Sequence, residues 1–214
     1  MVKKYRPKSK LSMIVYMEGG GDTKSLHTEL RQGMRLLLEK AGLKGMMPGV
    51  FACGTRGNAY RDFKNASRDC HAFLLVDSES AVEGKHQGKP WEHLKKRDGW
   101  DKPEGTTDDQ CHLMVQCMES WFLADGDAVA HYFGQGFNGK HFPPQGQNVE
   151  AIDKPDVYSK IEHAIRACSK HTYSKGRHSF AILGQIDPGK VKAASPWAER
   201  FFDTLQEHCN QKNE

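Results

Sequence analysis

Residues 72–79, Ala-Phe-Leu-Leu-Val-Asp-Ser-Glu, join five apolar side chains to two carboxylates. A short apolar run that ends in polar residues is typical of a strand buried on both faces of a sheet. Residues 11–17 have the same character and end at Glu18, directly before three glycines. Two buried strands that both end in acidic residues predict a parallel sheet with polar chemistry at its carboxyl edge.

The sequence predicts helices between these strands. Apolar residues recur at helical spacing from Leu26 to Ala41, where Gly42 stops them. A strand at residues 47–53 and a helix at residues 59–66 follow, before the strand at 72–76. This alternation of strand and helix predicts an α/β fold, in which a parallel sheet is flanked by helices.

The remaining chain predicts a fourth strand and a helical end. Residues 111–117 are predicted to form the strand and residues 119–125 a helix. We expect Trp121 of this helix to be buried. The polar residues 80–109 predict a long mobile loop, with Trp91 and Trp100 packed on the domain or stacked on bases. We therefore predict an α/β domain at residues 1–133. Residues 134–214 are predicted as a loop and a helical C-terminal extension packed on that domain.

Composition limits the classes of function. The 214 residues carry a net charge of +4, and five basic residues lie within residues 3–10, which is weak support for a nucleic-acid partner. No run approaches the ~18 apolar residues of a membrane span, and we expect no membrane association. The six cysteines form no CxxC pair, so we predict reduced thiols and a cytoplasmic protein.

The acidic residues after the first and third strands define the candidate site. Glu18, Asp77 and Glu79 are expected to converge, because the ends of parallel strands share one edge of the sheet. Clustered carboxylates repel one another unless a cation is present, and their hard oxygens suit Mg²⁺ or Mn²⁺. Alternatively, Glu18 opens an ordinary turn, and the other two are solvated turn residues.

The glycines after Glu18 do not form a nucleotide-binding loop. Lys24-Ser25 lacks the glycine that a P-loop places directly before its lysine, and no GxGxxG motif of dinucleotide binding is supported. Asp22 lies just ahead of the predicted helix. It is either an additional site residue or only the N-cap of that helix.

Several phrases resemble one family over nearly the whole chain. The most specific is His112-Leu-Met-Val-Gln-Cys-Met-Glu-Ser-Trp-Phe-Leu-Ala-Asp125. The others are residues 15–21, 74–79, 91–94, 97–100, 173–178 and 187–191. Together they resemble the domain-of-unknown-function family 4276. That family is grouped with Toprim-like domains, the metal-binding fold of topoisomerases, primases and OLD-type nucleases.

The resemblance implies a Toprim-like fold and a function. In Toprim domains a glutamate follows the first strand, as Glu18 does, and an Asp-x-Asp pair follows the third. Here that pair is Asp77-Ser-Glu79, which keeps the charge on a longer arm. The implied activity is Mg²⁺- or Mn²⁺-dependent cleavage of nucleic-acid phosphodiesters, RNA or DNA, in antiphage defence beside a partner ATPase. The alternative is a non-catalytic sensor or binding subunit of an ATPase complex; whether the chain forms a homo-oligomer is open.

Further residues are candidates by position. We predict Glu119 as a fourth metal ligand and Asp125 as an additional acidic contributor; alternatively, Glu119 caps its helix. Lys175, Arg177 and His178 are predicted to contact phosphate from the helical extension, with ordinary surface residues as the alternative.

Overall fold

Four strands form one parallel sheet in the computed structural model, which describes residues 13–66 and 71–210. The strand order is β2-β1-β3-β4, and every neighbouring pair is parallel. The bounds are β1 (Ile14–Met17), β2 (Gly49–Ala52), β3 (Ala72–Asp77) and β4 (Cys111–Met114). The predicted α/β fold with a parallel sheet is confirmed. The predicted start of β1 at Leu11 and the basic cluster at residues 3–10 lie outside the described residues.

Helices cover both faces of this sheet. They are α1 (Lys24–Leu38), α2 (Arg56–Ala66), α3 (Pro90–Asp98), α4 (Ser120–Leu123), α5 (Gly126–Phe133), α6 (Lys154–Ile165), α7 (Ser179–Leu183), α8 (Pro188–Ala194) and α9 (Pro196–Asn210). A π-helical turn, Glu39–Leu43, extends α1 and contains Gly42 at φ +90°. Short 3₁₀ turns lie at Gly84–His86, Asp108–Gln110 and Gly139–His141.

The strands divide their side chains between two hydrophobic clusters. Val15 and Phe73 belong to a larger cluster with α1 and the C-terminal helices, whereas Ile14 and Leu74 belong to a smaller one with α2 and α3. Alternate strand residues point to opposite faces of a sheet, so the two clusters lie on its two sides. All six residues of β3 are buried, as its continuous apolar run predicts.

The predicted mobile loop at residues 80–109 is wrong in part, because it contains helix α3. Pro90 begins this helix and Gly99, at φ +72°, ends it, which are ordinary start and stop residues. Trp91 is 3% exposed in the smaller cluster, and Trp100 stacks on Tyr60 with ring centroids 4.6 Å apart. The packing of these two rings holds the segment on the domain. Of the two roles predicted for the tryptophans, the structure supports packing.

Two short helices were not predicted from the sequence. Helix α5 begins after Asp125, whose carboxylate accepts the Ala128 N–H at 3.3 Å. Helix α8 begins at Asp187-Pro188, where the Asp187 side chain accepts the Gly189 N–H at 2.7 Å. An aspartate followed closely by glycine or proline is also a turn signal, which is why both stretches resemble loops in the sequence.

The C-terminal helices pack against the rest of the fold. A Cβ on Gly33 of α1 would lie 2.2 Å from the Phe180 carbonyl oxygen, so only glycine lets α7 approach α1 this closely. On α9, an Arg200 Nη1–H donates to the carbonyl of Cys111 at 2.8 Å and ties that helix to β4. These contacts place the helical extension on the sheet; the proposed division at residues 133 and 134 stays a prediction.

Two sequence expectations concern the solvent and redox setting. Within residues 13–66 and 71–210, no helix has the length and apolar character needed to cross a membrane. Cys53, Cys111, Cys117 and Cys168 are buried free thiols, in line with the predicted reduced cysteines.

Candidate metal centre

Three carboxylates meet at the carboxyl edge of the sheet. Glu18 follows β1, Asp77 is the last residue of β3, and Glu79 lies two residues further on. Since β1 and β3 are parallel neighbours, their ends lie side by side. One oxygen from each carboxylate lies within 4.8 Å of the others. The structure therefore brings together the three residues that the sequence predicted; we call them the acidic cluster.

Hydrogen bonds fix Glu18 and Asp77 in this arrangement. Glu18 Oε1 accepts the backbone N–H of Asp77 at 2.9 Å. Asp77 is 3% exposed, and its Oδ1 accepts the Met118 N–H at 2.8 Å. Burial raises the pKa of Asp77 well above its ordinary value, and the negative charges of Glu18 and Glu119 add to this. Burial also raises the pKa of Glu18, which the nearby Arg56 only partly offsets.

Glu79 adopts a backbone conformation that residues other than glycine rarely adopt. Its φ is +67°, in the left-handed region, which costs about 1–2 kcal/mol for such a residue. Its N–H donates to the Gln116 carbonyl at 2.8 Å and holds it there. Burial opposes its charge, but the Lys154 ammonium at 2.7 Å outweighs this and lowers the pKa of Glu79. Glu79 therefore combines a strained backbone with an ionised carboxylate at the end of a strand. Backbone strain of this kind is typical of functional sites.

Arg56 and Lys154, neither of which was predicted from the sequence, contact the acidic cluster. Arg56, the first residue of α2, lies 3.4 Å from Glu18 Oε2 and also donates to the Asp77 carbonyl oxygen. Its other Nη donates to Asp98 at 2.8 Å. Lys154, the first residue of α6, lies 3.4 Å from Asp77 Oδ2 and 2.7 Å from Glu79 Oε2.

The position of Arg56 could have been found from the sequence, because it follows the predicted second strand at the same edge of the sheet. Nothing local marks Lys154, which reaches the cluster only through the packing of α6. The segment around α3 contributes as well. Trp100 lies under the Arg56 guanidinium at 5.3 Å, and Arg97 lies 3.9 Å from Glu79 Oε2.

The donor set fits a hard divalent cation. Two oxygens on opposite sides of Mg²⁺ are about 4.2 Å apart, since each Mg–O bond is about 2.1 Å. Neighbouring oxygens on an octahedral Mg²⁺ are about 3.0 Å apart. The oxygens of the acidic cluster lie within 4.8 Å of one another, so one ion can bind all three only after the side chains draw closer together. Oxygen-only ligands of this kind are typical of Mg²⁺ and Mn²⁺ sites.

Comparison with protein-family models matches residues 17–206 to the family described as "Domain of unknown function (DUF4276)". The match covers most of the chain and includes all three residues of the acidic cluster. The chain belongs to this family. The comparisons with curated proteins and with solved structures each found no match.

The sequence predicted Glu119 as a fourth metal ligand, but in this DUF4276 protein the residue lies outside the acidic cluster. It is completely buried, and its oxygens accept hydrogen bonds from the hydroxyls of Tyr158 at 3.0 Å and Tyr173 at 3.1 Å. Glu119 is the N-cap residue of α4, as the alternative predicted, but within the described residues its side chain makes no capping hydrogen bond. Burial and the Glu119 charge raise the pKa of both tyrosines, which remain protonated donors.

Asp22 and Asp125 also lie outside the acidic cluster. Asp22 is exposed, and the N-cap of α1 is Thr23, whose hydroxyl accepts the Leu26 N–H at 3.3 Å. Asp125 caps α5 and binds the Lys190 ammonium at 2.7 Å. The carboxylate of Asp125 therefore stabilises the start of α5 and its contact with Lys190.

The three predicted phosphate-binding residues have different surroundings. Lys175 is exposed, and its ammonium donates to the Tyr158 hydroxyl at 3.1 Å, close enough to Asp77 to oppose the rise in the pKa of that carboxyl. Arg177 is exposed. His178 is buried, accepts the Ser174 N–H at 3.3 Å, and has a pKa that burial lowers. His178 packs against the fold instead of lying on the surface, and phosphate binding by these three residues stays a prediction.

Glu119→Gln tests the structural role of this residue. An amide offers one acceptor oxygen where the carboxylate offers two, so one tyrosine hydroxyl can no longer donate to Glu119 and faces an amide N–H instead. We expect the free energy of unfolding to fall by about 1.5–3 kcal/mol, the range for buried hydrogen bonds to charged groups. Melting curves with chelator and with Mn²⁺ check this. A metal ligand would instead lose the Mn²⁺ response, whereas we expect that response to stay close to the parent's.

Proposed function

We propose that this DUF4276 protein is a metal-dependent nuclease that cleaves nucleic-acid phosphodiesters. The observation that carries the proposal is the convergence of Glu18, Asp77 and Glu79 at the carboxyl edge of a parallel sheet. Ligands of open α/β sheets bind at this edge. The arrangement also matches the Toprim-like pattern of acidic residues that the sequence resemblance implies.

The residues of the acidic cluster have distinct roles in this proposal. Asp77 and Glu79 hold Mg²⁺ or Mn²⁺, and Glu18 is a third ligand or a general acid–base. The bound cation supplies charge stabilisation for phosphoryl oxygens. Glu18 is already fixed by the Asp77 N–H, and Asp77 by the Met118 N–H, so two carboxylates keep their orientation without substrate. Such preorganisation lowers the free energy needed to reach the reactive geometry.

Cations at the rim support an anionic substrate. Lys175 and Arg97 are exposed residues near the acidic cluster, and Lys154 is partly exposed within it. Positive side chains around an acidic metal site attract phosphate, while the carboxylates alone would repel it. We extend the proposal to an effector role in antiphage defence, working with an ATPase, as the family resemblance implies.

The alternative is a non-catalytic sensor or binding subunit built on the same fold. One observation favours it. Arg56 and Lys154 already place two positive charges against the three carboxylates, so much of the negative charge of the cluster is offset without a metal ion. A nuclease requires the metal for turnover, whereas a binding subunit does not, and this difference separates the two functions.

A cleavage assay tests the proposal. The purified full chain is incubated with single- and double-stranded DNA and RNA, with Mg²⁺, Mn²⁺ or chelator, with and without the product of a neighbouring ATPase gene. We expect divalent-dependent cleavage that Glu79→Gln reduces at least about 100-fold, because several kcal/mol of charge stabilisation are lost.

Glu83→Gln is the matched control. Glu83 also pairs with a lysine, at 3.0 Å from Lys85, but its side chain is 40% exposed and it lies outside the acidic cluster. Its replacement should leave cleavage unchanged. Cleavage that persists in chelator, or that survives Glu79→Gln, contradicts the nuclease. Metal binding without cleavage of any substrate, with or without the ATPase, favours the binding subunit.

A further inference from the structure

Lys154 places an ammonium group between two carboxylates of the acidic cluster. Its Nζ lies 2.7 Å from Glu79 Oε2 and 3.4 Å from Asp77 Oδ2. We propose that Lys154 is a built-in counter-ion that competes with the divalent cation for these two carboxylates and thereby sets the metal affinity of the site. The inference rests on the metal centre of the proposed function and adds a residue that limits its occupancy.

The position of Lys154 is fixed by the backbone around it. Gln116 is 3% exposed, and its Oε1 accepts the Lys154 N–H at 3.1 Å, while its Nε2 donates to Asp153 at 3.1 Å. The carbonyl of the same Gln116 accepts the Glu79 N–H at 2.8 Å. One buried residue therefore joins the start of α6 to the backbone of Glu79. The ammonium faces Glu79 because both residues are attached to Gln116.

A divalent cation and the ammonium group repel each other when both are bound to the same two carboxylates. Both are positive, and at 3–4 Å their repulsion is substantial even in water. In this proposal a cation bound by Asp77 and Glu79 therefore displaces the Lys154 Nζ from its two partners. The flexible four-carbon stem of lysine permits this movement, and the side chain is partly exposed.

Arg56 differs from Lys154 in this respect. Its guanidinium is held by Asp98 at 2.8 Å, by the Asp77 carbonyl and by the face of Trp100. Three anchors keep it beside Glu18 whether or not a metal is bound. Of the two cations, Lys154 is the one that can leave, so its removal should change metal affinity the most.

Lys154→Met tests this competition, because methionine keeps much of the apolar stem and removes the charge. Mn²⁺ affinity of the purified full chain is measured by calorimetry and by electron paramagnetic resonance of free Mn²⁺, at constant ionic strength. We expect Lys154→Met to bind Mn²⁺ about tenfold more tightly or better, since one competing positive charge is lost. Its melting temperature in chelator should fall, and Mn²⁺ should raise it by more than in the parent.

Two further variants control the measurement. Lys190→Met removes another lysine that bridges two carboxylates, Asp125 at 2.7 Å and Asp127 at 2.8 Å, away from the acidic cluster. Its Mn²⁺ affinity should equal the parent's. Lys154→Arg keeps the charge, so it should not gain affinity, and it provides the comparison if Lys154→Met folds poorly.

The outcomes separate this inference from the metal centre itself. If the parent binds Mn²⁺ and Lys154→Met binds it equally or more weakly, Lys154 does not compete, and the metal centre still stands. If Lys154→Arg gains as much affinity as Lys154→Met, charge is not the cause, and the inference is wrong. If neither the parent nor Lys154→Met binds Mn²⁺, the metal centre of the proposed function fails as well.

Discussion

Asp77→Asn is expected to remove most of the stabilisation that Mn²⁺ gives, while the metal-free variant is as stable as the parent or slightly more stable at neutral pH. Asp77 is buried beside Glu18 and faces the charge of Glu119, so its ionised form is disfavoured. Asparagine removes that charge at nearly the same shape. Its Oδ1 still accepts the Met118 N–H, which the parent carboxylate accepts at 2.8 Å.

The metal-free stability of the parent should depend on pH, and the direction follows from the pKa of Asp77. Burial and the charges of Glu18 and Glu119 raise the pKa of Asp77 above the unfolded value of about 3.9. The folded state therefore holds more protons than the unfolded state between these two values. The resulting stabilisation is present at low pH and is lost as pH rises from about 4 through the folded pKa. Asp77→Asn should lack this decline when melting is followed in chelator over a pH series.

The Mn²⁺ response gives the larger effect. A cation that binds only the folded state adds about 2.7 kcal/mol at one hundred times its dissociation constant. For a chain of this size that corresponds to a rise of about 5–10 °C in melting temperature. We expect the parent to show such a rise and Asp77→Asn to lose most of it, together with any nuclease activity.

Asp125→Asn is the control for Asp77→Asn. Asp125 is also buried and also accepts a lysine ammonium, from Lys190 at 2.7 Å, but it lies outside the acidic cluster. It should lose some stability, because the amide nitrogen of asparagine cannot accept the Asp187 N–H that Asp125 Oδ2 accepts at 2.9 Å, and it should keep the full Mn²⁺ response. If Asp77→Asn is instead destabilised in chelator and responds to Mn²⁺ like the parent, Asp77 is a structural residue and the metal site is wrong.

The acidic cluster could be predicted from the sequence because strand ends are local features. Apolar runs mark β1 and β3, and the parallel arrangement brings Glu18 and Asp77 to one edge whatever the loops do. Helix α3 was missed although Pro90 and Gly99 mark its two ends. Only a few of its residues, such as Trp91 and Leu94, are buried, and the polar remainder resembles a loop.

The partners of the acidic cluster could not be predicted in the same way. Lys154 reaches Glu79 because Gln116 joins the two backbones, and no spacing in the sequence records that contact. Glu119 lies in the most specific family phrase, yet its oxygens are used by Tyr158 and Tyr173. Pairing between distant side chains depends on how helices pack, so position along the chain does not tell a ligand from a hydrogen-bond acceptor.

Trp121→Ala is expected to lower the free energy of unfolding by about 3–5 kcal/mol, the range for removing a fully buried tryptophan. Trp121 is completely buried in α4, as the sequence predicted, and its ring lies 6.3 Å from Phe201 and 5.9 Å from Phe202, measured between centroids. Both phenylalanines belong to α9. The substitution therefore removes contacts that join the α/β region to the C-terminal helices.

Trp121→Phe separates packing from polar effects. The indole Nε1–H of Trp121 is buried and has no hydrogen-bond partner in the part of the chain that the structure describes. Phenylalanine keeps an aromatic ring and removes that unsatisfied donor, so it should cost much less than alanine, below about 1.5 kcal/mol. Urea unfolding followed by circular dichroism measures both variants. An unchanged urea midpoint for Trp121→Ala would show that α4 and α9 do not depend on this ring, and loss of activity alone would then assign Trp121 to binding.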